Sequence, residues 1–294
     1  MEFFRCPENN QRIIFVGEGN FSFSRCLVES WKNDMVEVYT TCYEPELNEV
    51  AQENVKHLRK FANVFVKSNF DATKMDPEEL GHFHLVIFMF PHVGGKMKID
   101  KNRDLLKKFA QSASKILKEN GKILVTLCNG QGGTPFDEVQ RLEADSWQIV
   151  KMMSYGQLGL TKVDKFQLEN FPNYKSYGYR SQEKSFNTKE GTIHVFEKNP
   201  ETQLYPQMYK HDLSFWILKD IEIDLGDLIK DVSDNIVIKV EEIDNFYNQE
   251  KNLKSKTLRL TYLSPIKVLN PEEIMTLHYK IGHLLKDKIN IKVR

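Results

Sequence analysis

The chain has 294 residues, enough for two ordinary domains with cores of their own, and its 40% hydrophobic and 28% charged residues are those of a soluble globular protein. No apolar run approaches the roughly 18 residues that a membrane span requires, and the 41 basic residues equal the 41 acidic ones, which excludes a bulk electrostatic pull toward nucleic acid. The four cysteines (Cys6, Cys26, Cys42, Cys128) contain no C-x-x-C pair, so neither a zinc site nor a disulfide framework is expected.

The opening MEFFRCPENNQ lacks the features of a secretory or organellar leader, and reduced thiols fit a cytoplasmic or nuclear protein. Strand-like apolar runs then occur at 12–17, 36–43, 63–69, 84–90, 121–127, 147–153 and 192–198. An amphipathic segment follows the first run. Helical spacing of apolar residues recurs over 47–62 and 102–121, the latter ending on Gly121 as a C-cap. Strands that are apolar on both faces and alternate with helices predict an α/β fold, a doubly wound, mostly parallel sheet covered by helices. Between Lys96 and Lys122 nine Lys or Arg face three acids, which reads as a solvated helix face or as a surface for phosphates.

The pattern breaks at NPETQLYP, residues 199–206, and changes beyond it. Strand 212–218, helix 225–233, strands 235–246 and 255–263, helix 270–288 and strand 290–294 follow in the β-α-β-β-α-β order of a ferredoxin-like domain. Asn270-Pro271-Glu272-Glu273 supplies a cap, a proline at the first helical position and acids in the first turn. Two domains are expected, 1–199 and 203–294.

The first run ends in Gly17-Glu18-Gly19-Asn20, where glycines let a ligand approach the backbone at a helix N-terminus. A dinucleotide fingerprint would have a third glycine, but the residue is Ser22, and Glu18 would repel a pyrophosphate. A cationic cofactor without phosphate, S-adenosylmethionine, fits an acid there better than a dinucleotide does. Glu44, at the end of the second run, is placed to accept from ribose hydroxyls, and Asp71 after the third to accept from an adenine amino group. Each acid is equally read as a cap for the next helix. The fourth run ends in FMFPHVGG. Pro91 stiffens the chain there, Phe88 or Phe90 can stack on a base, and His92 can carry a proton; the alternative is core phenylalanines and a loop histidine.

IIFVGEGNFSFS, the acid of CYEPEL, NFDAT, FMFPHVGG with NRDLL, GKILVTLCNGQ and ENFPNYKSYGYR resemble, in order, the Rossmann-like large-subunit rRNA uridine-N3 methyltransferase family over residues 12 to 198. From Tyr205 onward the chain resembles the ferredoxin-fold anticodon-binding domain that ends phenylalanyl-tRNA synthetases, with no synthetase catalytic segment between the two. The resemblance implies S-adenosylmethionine held by Gly17, Glu18, Gly19, Asn20, Glu44 and Asp71, and a pyrimidine near Phe90, Pro91 and His92. Two positions depart from the family: Met89 stands where it commonly has the Asn of F-N-F-P-H, and Cys128 where it often has a basic residue.

The expected function is methylation of uridine N3 in tRNA, the second domain binding the tRNA, with rRNA as the alternative substrate. Two other readings stand beside it. Cys128 can be the nucleophile of a carbon-5 methyltransferase, or the chain can be a non-catalytic RNA-binding protein, a reading that Met89 supports. RNA is the expected partner, a protein partner is allowed for, and no membrane or metal is expected. The location is cytoplasmic or nuclear, nucleolar if rRNA is the substrate.

Overall fold

A computed structural model describes residues 2–93, 98–177, 188–218, 224–250, 252–289 and 291–293. Gly94, Gly95 and Lys96 of the sequence motifs, the Gly178-Tyr179-Arg180 end of ENFPNYKSYGYR, and Asn290 and Arg294 of the last expected strand lie outside the described residues. The chain divides into two compact units, residues 1–205 and 206–294. The first runs a few residues beyond the expected 199, and Leu204 N–H donates to Leu160 C=O at 2.7 Å within it.

In the first unit, successive side chains of a strand point to opposite faces, so an unbroken apolar run needs cover on both. β1 (Arg12–Val16) sends Ile13 and Phe15 into one core and Ile14 and Val16 into the other. The first core is closed by α1 (Ser22–Trp31) and α2 (Glu49–Leu58) through Leu27, Val28, Trp31, Val55 and Leu58. The second is closed by α4 (Ile99–Ile116) and α5 (Ile149–Ser154) through Leu106, Phe109, Ala113, Ile149 and Met153, with Leu80 of the short α3 (Pro77–Leu80) at its margin.

The sheet adds β2 (Glu37–Thr41), β3 (Val64–Lys67), β4 (Phe83–Met89), β5 (Leu117–Leu127), β6 (Leu158–Lys165) and β7 (Thr192–Lys198) in the order β3-β2-β1-β4-β5-β7-β6. Pairs from β3 to β5 are parallel, while β7 runs antiparallel to both β5 and β6. The chain departs from β1 toward β2 on one side and β4 lies on the other. A crevice opens at the carboxyl ends of β1 and β4, where α/β sheets hold ligands.

Two expectations are corrected. Residues 147–153 do not form a strand: 149–154 are the helix α5, burying Ile149, Val150, Met152 and Met153, and the strand is 158–165. A short apolar run has no decisive period, whereas Leu158–Lys165 is exposed over much of its polar second half and carries little apolar signal. Nor does Gly121 cap a helix. α4 stops at Ile116, Leu117 is already extended (φ −82°, ψ 132°), and Gly121 lies within β5, in the excursion between the pairs Phe83–Leu117 and Leu85–Lys122.

The second unit is a four-stranded antiparallel sheet ordered β11-β8-β10-β9, with β8 (Tyr209–Ile217), β9 (Val237–Asn248), β10 (Leu253–Tyr262) and β11 (Ile291–Val293). Helices α6 (Leu225–Val232) and α7 (Pro271–Ile289) complete the ferredoxin-like order. Its core joins Leu213, Phe215, Ile229, Leu260, Ile274 and Ile281. α7 begins with a reciprocal cap: Glu273 N–H donates to Asn270 Oδ1 at 3.0 Å, and Asn270 N–H donates to the Glu273 carboxylate at 3.2 Å.

Candidate functional site

A cavity of about 760 Å³ occupies that crevice, within the roughly 300–1,000 Å³ of small-molecule sites. Its wall contains Gly17–Asn20 after β1, Glu44 after β2, Asp71 after β3 and Phe88–Val93 at the end of β4. Residues that the sequence expects to hold a cofactor, and those expected to face a substrate, thus line one space.

Gly17 has φ +64°, and a Cβ there would overlap the Phe88 ring. Both the left-handed backbone and the aromatic floor demand glycine. Phe88 itself is core, its ring 4.8 Å from that of Phe109, so it forms the cavity floor rather than a free stacking surface.

Glu18 is 7% exposed, and its carboxylate is turned inward. One oxygen accepts from Ser24 N–H at 3.0 Å; the other accepts from Thr40 Oγ1 at 3.0 Å and from Ser24 Oγ. The residue preceding α1, Phe21, provides no side-chain cap, so Glu18 caps the helix in its place. The expected open carboxylate facing a cationic ligand is therefore an engaged one. Burial raises its pKa to about 7 against the lowering effect of those hydrogen bonds.

Asp71 accepts from Thr73 N–H at 2.9 Å and from Thr73 Oγ1 at 2.7 Å, and lies 3.1 Å from Lys74 Nζ. Burial alone would raise this carboxyl; the Thr73 and Lys74 contacts outweigh it and hold it below its ordinary value. It is thus a carboxylate, with its side chain 31% exposed. Glu44 is half-buried, its backbone C=O accepting from Asn69 N–H at 3.0 Å.

The end of β4 is strained. Phe90 has φ +47°, a conformation costly for a residue with a Cβ, and its N–H donates to Thr126 C=O at 2.8 Å. Its buried ring meets Phe166 edge-on at 5.3 Å and lies nearly parallel to Tyr174 at 6.4 Å. Pro91 and His92 follow on the cavity wall, and Asn102 fixes the next residue by accepting from Val93 N–H at 2.7 Å. Met89 is 9% exposed, and its sulfur accepts from Thr126 Oγ1 at 3.3 Å.

Sequence reasoning missed a strap. Residues 171–177 cross the glycine turn: Asn20 Nδ2 donates to Lys175 C=O at 3.1 Å, and Ser22 Oγ donates to the same oxygen at 3.1 Å and accepts from Lys175 N–H at 3.1 Å. A Cβ on Gly19 would stand 3.2 Å from Tyr177, so this glycine permits the close crossing. Ser22, which read only as an absent glycine, is the anchor. Tyr174, Lys175 and Tyr177 of the strap join the cavity wall. Burial, with Glu18 and Cys128 nearby, pushes the Tyr174 phenol well above its ordinary value. ENFPNYKSYGYR carried the signal as a motif, but nothing local showed where it lies.

Cys128 sits after β5 with its thiol pushed by burial to about 11, which leaves almost no thiolate at neutral pH. Among the described residues, no cluster of His, Cys, Asp or Glu suited to a metal ion occurs.

The strand order, with its antiparallel seventh strand and glycine turn at the switch point, is that of the Rossmann-like methyltransferases. A family model described as rRNA (uridine-N3-)-methyltransferase BTM5-like matches residues 14–178, and one for the ferredoxin-fold anticodon binding domain matches residues 204–294. The chain belongs to the BTM5-like rRNA (uridine-N3-)-methyltransferase family and carries an anticodon-binding domain. It is 38% identical over 208 residues to the mouse (Mus musculus) ferredoxin-fold anticodon-binding domain-containing protein 1 homolog, covering 68% of this chain and 33% of that protein. It is 40% identical over 196 residues to the human (Homo sapiens) ferredoxin-fold anticodon-binding domain-containing protein 1, covering 64% and 31%. To the 25S rRNA (uridine(2634)-N(3))-methyltransferase of Saccharomyces cerevisiae it is 24% identical over 248 residues, covering 65% and 74%. The chain spans about a third of the length of the mouse and human relatives it matches.

Proposed function

We propose that the first unit binds S-adenosylmethionine in this cavity and methylates N3 of a uridine in RNA, with tRNA preferred over rRNA and the second unit holding the RNA. The observation that carries the reading is convergence: the glycine turn, two carboxylates from separate strand ends, and the strained Phe90-Pro91-His92 corner share one cavity. The residues fit the cofactor. Gly17 and Gly19 give backbone access, Asn20 ties the turn to the strap, Glu44 would hold ribose hydroxyls, and Asp71, ionised and partly exposed, would accept from the adenine amino group. Glu18 serves the site by fixing the turn onto α1 and β2. The bound cofactor supplies an electrophilic methyl group.

Uridine N3 keeps its proton at neutral pH, and catalysis needs that proton removed from a correctly placed base. His92 is the group on the wall assigned to take it, and Pro91 offers the ledge for the pyrimidine, with the buried Phe90 ring packed behind it on Phe166 and Tyr174. The target base must be unpaired or flipped out of its helix. The tRNA preference rests on the anticodon-binding domain. Labelled methyl transfer to total tRNA and to total rRNA, followed by nucleoside analysis, tests the reading; no N3-methyluridine in either pool refutes it.

One observation favours a second reading, a non-catalytic RNA-binding protein. Met89 presents a thioether where the family has an amide, and that sulfur is occupied by the Thr126 hydroxyl. Calorimetry separates the two. Binding of S-adenosylmethionine that is lost in Asp71→Ala supports the enzyme, and no binding by the wild-type chain supports the scaffold.

A further inference from the structure

The run of nine basic residues between Lys96 and Lys122 has no part in the cavity's chemistry, yet the fold sorts it sharply. Arg103 is consumed internally, donating to the carbonyls of Glu143, Ala144 and Ser146, and Lys107 lies 3.8 Å from the Tyr155 ring centroid. Lys118 meets His84, and Lys122 meets Glu197. Of the other five, Lys96 lies outside the described residues, Lys98 is half-buried, and three stand on one line: Lys101, Lys108 and Lys115 are all exposed and seven residues apart on α4. That spacing returns to the same helix face within about 20°, at intervals of about 10.5 Å.

The line follows a channel. Lys101 and Lys108 stand on the wall of the first cavity. Lys108 is also on the wall of a second groove of about 490 Å³, with Lys115, Gln111 and, on the opposite lip, Lys74. Thr73 and Lys108 belong to both, so the groove continues the cavity rather than standing apart from it. Its floor is fixed where Ser112 Oγ accepts from Met75 N–H at 2.6 Å, pinning the lip to α4. Among the described residues Asp76 is the one acid on the groove wall, and its carboxylate caps α3 by accepting from Glu78 N–H at 2.9 Å. The Lys108–Asp104 pair at 2.6 Å is exposed on both sides, a contact worth little and readily exchanged for a phosphate.

We infer that the phosphate backbone flanking the target uridine leaves the first cavity along Lys101, Lys108 and Lys115 and runs through the second groove. The inference rests on the RNA methyltransferase reading of the first cavity and adds the path of the substrate chain. Neutral overall charge makes such a track necessary, because no bulk field holds the RNA and cations must meet phosphates locally.

The test is binding of a fluorescein-labelled oligouridylate to the full chain across a salt series, with calorimetry of S-adenosylmethionine on the same proteins. The triple variant Lys101→Gln, Lys108→Gln, Lys115→Gln is compared with wild type and with Lys60→Gln, Lys118→Gln, Lys122→Gln, which removes equal charge elsewhere. All six lysines are exposed, and thermal melting checks that each protein is folded. Expected for the track variant is a log–log salt slope shallower by about 2, from about 0.7 per lost contact on single strands, and affinity weaker by about tenfold or more. The control triple should keep the wild-type slope. A track variant that binds like wild type, or a control that loses as much, overturns the path while leaving the methyltransferase reading standing. A wild-type chain that binds no oligouridylate also overturns the path, and S-adenosylmethionine binding then reports separately on the cofactor site.

Discussion

Glu18 shows how one buried acid ties the site to the stability of the fold. Its pKa rises from an ordinary 4.5 to about 7, so between those values the native chain holds a proton that the unfolded chain releases. Stability from this group is therefore fully present below pH 4.5 and is lost as pH rises to about 7, a span of about 3 kcal/mol. Glu18→Gln should flatten that dependence and leave the variant more stable than wild type at pH 8. Urea titrations at pH 5 and pH 8 on both proteins check the slope, and parallel curves refute it. Gly17→Ala should act through sterics: with φ +64° and the Phe88 ring in the way, a loss of about 1–3 kcal/mol is expected, together with loss of S-adenosylmethionine binding. Cys128→Ser should retain methyl transfer, because a thiol raised to about 11 is a poor nucleophile. Abolished transfer in that variant would restore the carbon-5 mechanism.

At the scale of elements, the strap 171–177 depends on two polar residues of the glycine turn. Ser22 both donates to and accepts from the Lys175 backbone, so Ser22→Ala removes a two-way link while leaving the core phenylalanines in place. The Lys175 amide should exchange with solvent about five- to tenfold faster in that variant, the loss of one net hydrogen bond of about 1–1.5 kcal/mol, while amides of β1 keep their protection. Hydrogen-exchange mass spectrometry resolves the two regions. Elements with a strong period were legible beforehand: the first five strands of the large sheet and the six elements of the small unit, four strands and two helices, fall within a few residues of expectation, while α4 was legible as a helix but ends five residues before the expected Gly121. Residues 147–165 were misread because a run such as Ile149–Ser154 is too short to show a period, and packing against α4 decides that it coils.

At the scale of the whole molecule, each unit has a core of its own. Residues 206–294 bury Phe215, Leu260, Tyr262, Ile274 and Ile281 together, close all four strands with hydrogen bonds and cap α7 internally. Expressed alone, that unit should unfold cooperatively in a single thermal transition seen by circular dichroism; a sloping, non-cooperative melt would show that its core is insufficient.

Periodicity and turn chemistry are local properties, so the sequence by itself determined two units that mix helix and strand, the element order outside residues 147–165, and which short motifs end the strands around the cavity. Direction and partnership are not local. That Glu18 turns inward to cap α1, that Ser22 grips a residue 153 positions away, and that Lys101, Lys108 and Lys115 line a cavity and the groove that continues it were decided by tertiary structure alone. A side chain's neighbours across the fold leave no period in the chain; they exist only once the sheet has brought β1, β4 and the strap to one edge.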